Sequence, residues 1–398
     1  MLLIVTILPA VFCFVDAAVD LASPLVFDPT FYVNTHADLH QMGINSKAAA
    51  KQHWLSKGIS EGRQGCGSFH SKQYLKRYAD LSKTFGTNYH QAINHYLTHQ
   101  SEKKLGYVEG GYNGRWTISN QHHDLFISAS ARMGGAIDSL VWDNKEFINA
   151  WDHGRELQMV VNVHPYGECF NPTEAGGRDD GKRSTTTSKI ISVIAQRNIL
   201  KTTNHPAFWL RHGDHGSAAS KNPSCLPGVP TKNTVDTYEY DFSKTVTIGC
   251  AEMSHCIKYE SMFTIGGHWP AGYVSHNIAA PTGYLTGEFQ ILKSLNLGNG
   301  QIQPYSSKYP VILATSDHRH AMGVYSPEGQ DTDAHFYNGA LFGSAFGSGT
   351  SKWGSGFRKK AFPNGSLHKL SYVTYICVGN LDQVTQCVRK LHATYPKV

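Results

Sequence analysis

The sequence MGGAIDSLVWDNKEFIN, from Met133 to Asn149, says more about the fold than any other part of the chain. Ile137, Leu140 and Trp142 stand among serine, aspartate and glycine, as the residues of a short strand do. The dipeptide Asp143–Asn144 that follows is typical of a tight hairpin turn. We therefore predict a β-hairpin at this point.

Two polar segments follow the hairpin. The first reads WDHGRELQ, from Trp151 to Gln158, and the second reads ECFNPTEAGGRDDG, from Glu168 to Gly181. Both are dense in hydrogen-bond donors and acceptors, and loops of this kind carry function when a rigid scaffold holds them. We predict that the two loops build one site.

A family resemblance rests on these residues. The stretch Gly134–Glu146, followed by Asp152–Gln158, resembles the opening strands of galactose-mutarotase-like supersandwich proteins. That superfamily includes aldose 1-epimerases and the β-sandwich parts of several polysaccharide lyases and glycosidases. The resemblance implies a broad concave sheet that handles sugars. It does not place the epimerase histidine and glutamate, so it implies no mutarotase activity.

Three residues are predicted to be catalytic: His153, Arg155 and Glu174. Arg155 would hold a uronate carboxylate, and His153 would transfer a proton near neutral pH. Glu174 belongs to a group of acids, with Glu168, that could supply the paired carboxylates of glycoside cleavage. The alternative is that Arg155 forms a buried structural bridge with Asp152 or Glu174.

Further polar and aromatic residues are predicted to contact the sugar, because histidine beside tryptophan suits ring stacking with a polar partner. Core packing is the competing explanation for the tryptophans. The predicted substrate-binding residues are Gln158, Asn171, Arg178, His205, Trp209, His268 and Trp269.

No metal or cofactor is predicted. The chain has no CxxC pair, and the pair His318 and His320 lacks a third ligand at a recognisable spacing. A serine hydrolase is disfavoured, since no GxSxG elbow occurs at a strand-to-helix turn. Nucleic-acid binding has no motif behind it.

The composition is that of a globular protein: 398 residues, 40% hydrophobic and 17% charged, with a formal net charge of +6. A basic extracellular protein often meets acidic polymers, so an acidic polysaccharide is the expected partner. The alternative is that the scattered positive charge serves solubility alone.

The N-terminus predicts secretion. Leu2–Val15 is an uncharged apolar run too short to span a bilayer, so residues 1–17 are predicted to be a signal peptide. Seven cysteines remain after its removal, which predicts up to three disulfides and one free thiol. Cys250/Cys256 and Cys377/Cys387 are close enough to pair locally. A sequon at Asn364 could carry a glycan.

Residues 18–106 contain an internal repeat. Tyr32 and His53 recur as Tyr74 and His95, an offset of 42 positions in each case. Each copy has aromatic residues at helical spacing, which we interpret as the core of a small helical module, with ligand stacking as the alternative. Residues 107–114 form a predicted glycine-rich linker to a domain at 115–398.

The remaining sequence consists of short β-type runs separated by turn residues. We therefore predict a mainly β protein, a large antiparallel β-supersandwich with a small α-helical N-terminal repeat region. The predicted function is a secreted protein that binds or cleaves an acidic polysaccharide. If it is an enzyme, it is a polysaccharide lyase or glycoside hydrolase. The alternative is a non-catalytic lectin-like or matrix protein on the same fold.

Overall fold

The computed structural model describes residues 19–99, 110–112, 114–164, 166–214, 230–266, 275–328, 331–337, 349–360 and 367–396. The predicted signal peptide, half of the predicted linker and the sequon at Asn364 lie outside these ranges. Within them, short helices come first, two large antiparallel sheets follow, and one helix closes the chain.

The N-terminal helices are short, and three of them have a side-chain N-cap. The Asp28 carboxylate accepts the Phe31 N–H at 2.6 Å, and Ser46 and Asn88 cap later helices in the same way. The helices are α1 Pro29–Thr35, α2 Asp38–Gln41, α3 Lys47–His53, α4 Ser71–Arg77, α5 Ala79–Phe85 and α6 Tyr89–Thr98, with a π-helical turn Trp54–Gly58 after α3.

Each half of this helical module contains an equivalent hydrogen bond between a tyrosine and a histidine. The Tyr32 hydroxyl lies 2.9 Å from His53 Nδ1, and the Tyr74 hydroxyl lies 2.9 Å from His95 Nδ1. Both tyrosines are fully buried, and Trp54 is buried in the same apolar cluster. The prediction that these aromatic residues form a core is confirmed.

We expect Tyr32→Phe to lower the free energy of unfolding by about 1–2 kcal/mol, because His53 is then left buried without its hydroxyl partner. Tyr74→Phe should cost less than about 1 kcal/mol, since water can reach the less buried His95. Urea unfolding of the full chain measures both. Equal costs would contradict the dependence on burial.

The first sheet has eleven strands, numbered here along the whole chain: β1 Gly110–Tyr112, β2 Arg115–Ser119, β3 Leu125–Ser130, β4 Ile137–Trp142, β5 Lys145–Glu146, β6 Leu157–His164, β7 Pro172–Thr173, β10 Ala207–Phe208, β13 Ser275–Thr286, β18 Asp331–Tyr337 and β19 Thr350–Lys360. Its main path runs β1-β2-β3-β4-β6-β13-β19-β18. The predicted hairpin is β4–β5, and Asp143 and Asn144 adopt positive φ angles of 48° and 56° in its turn.

The second sheet has nine strands: β8 Lys189–Gln196, β9 Ile199–His205, β11 Phe242–Cys250, β12 Met253–Gly266, β14 Ile291–Leu295, β15 Ile302–Pro304, β16 Val311–Ala314, β17 Ala321–Tyr325 and β20 Leu367–Gly379. Their order is β15-β14-β16-β17-β20-β12-β11-β9-β8. Helix α7, Leu381–Thr394, packs on β17 and β20. The mainly β, antiparallel prediction is confirmed, and the sequence did not predict α7.

One apolar core fills the space between the two sheets. It takes alternate residues of β6, from Leu157 to Val163, together with Trp353 and residues of the second sheet such as Phe263. Two disulfides, Cys250–Cys256 and Cys377–Cys387, join the second sheet and α7 locally, as their spacing suggested. None of the helices in the described ranges has the length and apolar character needed to cross a membrane.

The helical module packs on the first sheet. Trp151 belongs to the apolar cluster of the helices and meets the His40 ring edge-on at 4.1 Å. The Arg115 guanidinium lies 4.8 Å from the centre of the Phe31 ring. The sequence also predicts that residues from about Gly111 to Val398 fold without the helical repeats. This stays a prediction, and such a fragment would lose these contacts.

Candidate functional site

The His153 side chain is buried beneath the second polar loop. Its two ring nitrogens each lie 2.8 Å from a backbone carbonyl, that of Gly181 and that of Arg132. Burial and the nearby Arg132 guanidinium lower the pKa of His153. The contact with Gly181 joins the first loop to the second. The ring is fully buried and faces no solvent.

Glu174 lies between the two sheets. One carboxylate oxygen contacts the Lys244 ammonium of β11, and the other accepts the Met159 N–H at 2.9 Å. Both side chains are buried, and burial lowers the pKa of Lys244. Lys244 also donates to the Gly135 carbonyl and the Thr202 hydroxyl, both at 2.7 Å. The group joins the two sheets beneath the predicted site.

Arg155 is buried and pairs with Asp152 at 3.1 Å. This pairing is one of the two that the structural alternative named. The neighbouring Glu156 is also buried, and desolvation together with the Asp152 charge raises its pKa well above the usual range. The side chains of the three predicted catalytic residues, His153, Arg155 and Glu174, are therefore all buried.

Gln158 and Asn171 fix the backbone of the loops. The Gln158 carbonyl oxygen accepts the Ala175 N–H at 3.1 Å, and its amide donates to Glu156 at 3.3 Å. The Asn171 backbone carbonyl accepts the Trp209 N–H at 2.8 Å. This last bond brings the segment after β10, which carries Trp209, onto the second loop.

An accessible group of side chains lies where these loops meet the outer face of the first sheet. It consists of Glu168, Arg178, Trp209, Tyr284 and Lys352, and we call it the Glu168 cluster. The Trp209 indole is hydrogen-bonded to the Glu168 carboxyl, and the charges that act on this carboxyl are Arg178 and Lys352. All five residues are at least partly exposed.

The sheet register supplies half of this cluster. Tyr284 on β13 and Lys352 on β19 are directly paired, and the lysine ammonium lies 5.6 Å from the centre of the tyrosine ring. Their neighbours Leu285 and Trp353 are fully buried in the core. Because side chains alternate along a strand, Tyr284 and Lys352 point away from the core.

Glu168 has a perturbed acidity. Partial burial raises its pKa, and Arg178, Lys352 and the Trp209 hydrogen bond oppose that rise. Perturbed carboxyl groups on an accessible surface are candidates for proton transfer or ligand contact.

Gly154 keeps the tryptophan ring in place. A Cβ atom at this position would lie 2.7 Å from the Trp209 ring, which is closer than real side chains approach. Gly154 of the first loop therefore leaves the space that the Trp209 indole occupies.

One further predicted residue, His205, does not join the cluster. His205 ends β9 in the second sheet and pairs with Asp241 at 2.9 Å. His268 and Trp269 lie outside the described residues. The structure thus brings Arg178 and Trp209 together with Glu168, which the sequence had weighed as an acid. Tyr284 and Lys352 were missed, because only the strand register brings them there.

His320 of the histidine pair lies 3.5 Å from Asp143, at the hairpin turn. Among the residues that the structure describes, no group of three or more His, Cys, Asp or Glu side chains could hold a metal ion.

Comparison with known proteins gave similar structures only. No family model matches the chain, and no curated protein matches it. The heparan sulfate lyase HepC of Pedobacter heparinus is 11% identical over 85% of this chain and 47% of its own, with a TM-score of 0.40. A heparinase III is 14% identical over 89% and 53%, with a TM-score of 0.41.

A putative aldose 1-epimerase of Escherichia coli K12 is 10% identical over 67% of this chain and all of its own, with a TM-score of 0.39. Aldose 1-epimerases and lyases, both named by the family resemblance, are therefore among the similar structures. The chain spans about half the length of the heparan sulfate lyases that it matches.

Proposed function

We propose that the chain is a carbohydrate-binding protein and that the Glu168 cluster binds an acidic glycan. The observation that carries the proposal is the pair of Tyr284 and Lys352 on the outward face of the first sheet, together with the loop residue Trp209, whose indole is hydrogen-bonded to Glu168. Arg178, which pairs with Asp214 at 3.2 Å, adds a second cation from the loop. Aromatic rings pack on the apolar faces of sugars, and the cations attract carboxylate or sulfate groups.

Tyr166 and Lys232 extend the same surface. The Lys232 ammonium lies 5.2 Å from the centre of the Tyr166 ring, and Tyr166 packs with Trp209 around Cys169 and Leu210. A second pair of ring and cation beside the first suits a ligand with repeating charged sugars, which supports a polysaccharide over a single sugar.

Binding without cleavage fits the placement of the predicted catalytic residues. His153, Arg155 and Glu174 are buried, so in this proposal they position the loops that carry Trp209 and Arg178. Cleavage by a lyase or hydrolase is the second candidate, and Glu168 is the observation that favours it. A carboxyl with a raised pKa keeps its proton to higher pH, as a general acid requires.

Secretion is part of the proposal. The two disulfides are compatible with an oxidising compartment, and Cys66 is buried as a free thiol. N-terminal sequencing of protein recovered from the medium tests whether residues 1–17 have been removed.

We expect Lys352→Ala to weaken binding of acidic glycans about tenfold and to leave neutral glycans unaffected, because one charge-assisted hydrogen bond is lost. A glycan array identifies the ligand, and titration calorimetry measures the affinity. Absorbance of unsaturated uronate products and an assay for new reducing ends, run in parallel, distinguish binding from cleavage.

The matched control is Lys258→Ala, which removes a lysine from the outer face of the second sheet, where it pairs with Glu260 at 2.6 Å. It should leave glycan affinity unchanged. Equal losses in both variants would mean that the net charge of the protein, and not the Glu168 cluster, attracts the glycan.

A further inference from the structure

A second cleft lies between the helical module and the first sheet. It has a volume of about 480 Å³ and is open to solvent. The helices contribute Phe27, Asp28 and Lys47, and the sheet contributes Asn144, Lys145 and Glu288. Its volume is within the range of small-molecule sites, which often form where two structural units meet.

Two rigid elements build the walls. On the sheet side, the β4–β5 hairpin places Lys145 opposite Trp142, immediately after the two turn residues of positive φ. On the helix side, the Asp28 carboxylate caps α1 and is half-buried. These two elements give the cleft its shape.

Two lysines, one from each side, converge on a single carboxylate. Lys145 contacts Glu288, and Lys47 approaches the same side chain at 3.9 Å. Lys145 is the more buried of the two, with 23% of its side chain exposed against 53% for Lys47. Burial lowers the pKa of Lys145, and the Asp28 and Glu146 charges oppose this.

Glu288 does not shield the two lysines, Lys145 and Lys47, from solvent. Its side chain is 45% exposed, so it leaves the lysine pair open to water and to a competing anion. The Lys47–Glu288 pair is exposed on both sides, and an ion pair of this kind contributes little stability, so its exchange for another carboxylate costs little.

We propose that this cleft binds the carboxylate of a small acidic sugar, which takes the place of the Glu288 carboxylate between Lys145 and Lys47. The hydroxyl groups of such a sugar meet the Asn144 amide and the Thr30 and Thr286 hydroxyls, which also line the cleft. This site shares no residue with the Glu168 cluster.

The test uses sodium D-glucuronate as the probe and D-glucose as the neutral comparison, with titration calorimetry on the full chain. Glu288→Gln should bind glucuronate about two- to fivefold more tightly, because the internal competitor has lost its charge. Lys145→Ala should bind it about tenfold more weakly. Lys47→Ala, at an exposed position, should also weaken binding, and it replaces Lys145→Ala in the test if that variant fails to fold.

The matched control is Glu260→Gln, which neutralises the carboxylate of the Lys258–Glu260 ion pair in the second sheet. It should leave glucuronate affinity unchanged. Lys352→Ala should also leave it unchanged, so this site and the Glu168 cluster can fail separately. The proposal is overturned if Glu288→Gln binds no more tightly than the parent protein, or if glucose binds as well as glucuronate.

Discussion

Lys244→Met is expected to lower the free energy of unfolding by about 3–5 kcal/mol, the largest stability effect that we anticipate for a polar residue. The substitution leaves the Glu174 carboxylate buried between the sheets without its counter-charge. It also removes the hydrogen bonds to the Gly135 carbonyl and the Thr202 hydroxyl. Urea unfolding followed by circular dichroism measures the loss.

Two comparisons make this result specific. Lys258→Met breaks a partly exposed pair with Glu260 and should cost less than about 1 kcal/mol. Adding Glu174→Gln to Lys244→Met removes the uncompensated charge but keeps an oxygen that can accept the Met159 N–H, so it should recover much of the stability. A Lys244→Met cost no larger than that of Lys258→Met would contradict the role given to burial.

This ion pair connects stability to the candidate site. Glu174 follows β7 directly, and β7 pairs with β10, which leads into Trp209. An interaction deep between the sheets thereby fixes the strand that delivers the indole to the surface. The glutamate that looked like a catalytic acid in the sequence is placed where it positions the Glu168 cluster.

The local features of the fold could be predicted from the sequence. The β4–β5 hairpin was predictable because Asp143 and Asn144 tolerate positive φ and few other residue types do. Strand β17, Ala321–Tyr325, was not predicted, because all of its residues are buried and an apolar run on both faces shows no alternation.

Helix α7 did carry a readable signal. Asn380 accepts the Gln383 N–H, and the Gln383 side chain accepts the Asn380 N–H, which together form a capping box. An N-cap residue followed three positions later by glutamine is visible in the sequence. The short β-type runs before this segment led to a prediction of strands and turns for the whole region, so the helix was not predicted.

The candidate site was predictable only in part. Arg178 stood out because it belongs to a polar, glycine-rich loop, and Trp209 because a histidine precedes it closely in the sequence. Their neighbours Tyr284 and Lys352 are distant in the sequence and meet through the pairing of β13 with β19. The burial of His153 could not be foreseen either, since a histidine in a polar loop looks exposed until the second loop is known to cover it.

Trp209→Ala should weaken binding of an acidic oligosaccharide roughly 30-fold, the largest effect on binding that we anticipate. The substitution removes a large ring from the surface and also removes the indole donor from Glu168. Titration calorimetry measures the affinity, and thermal unfolding checks that the loop remains folded. Trp209→Phe separates the two contributions, because it keeps an aromatic ring and removes only the donor.

We expect binding to depend on pH through the charge of Glu168. Glu168 in its charged form repels an anionic ligand, so affinity should fall as pH rises through its raised pKa, above the usual glutamate range. The indole hydrogen bond lowers that pKa, so in Trp209→Phe the fall should move to higher pH. In Glu168→Gln it should disappear. A sulfated oligosaccharide suits the titration because its sulfate charge stays constant. If Glu168→Gln kept the pH profile of the parent protein, Glu168 would not lie against the bound glycan.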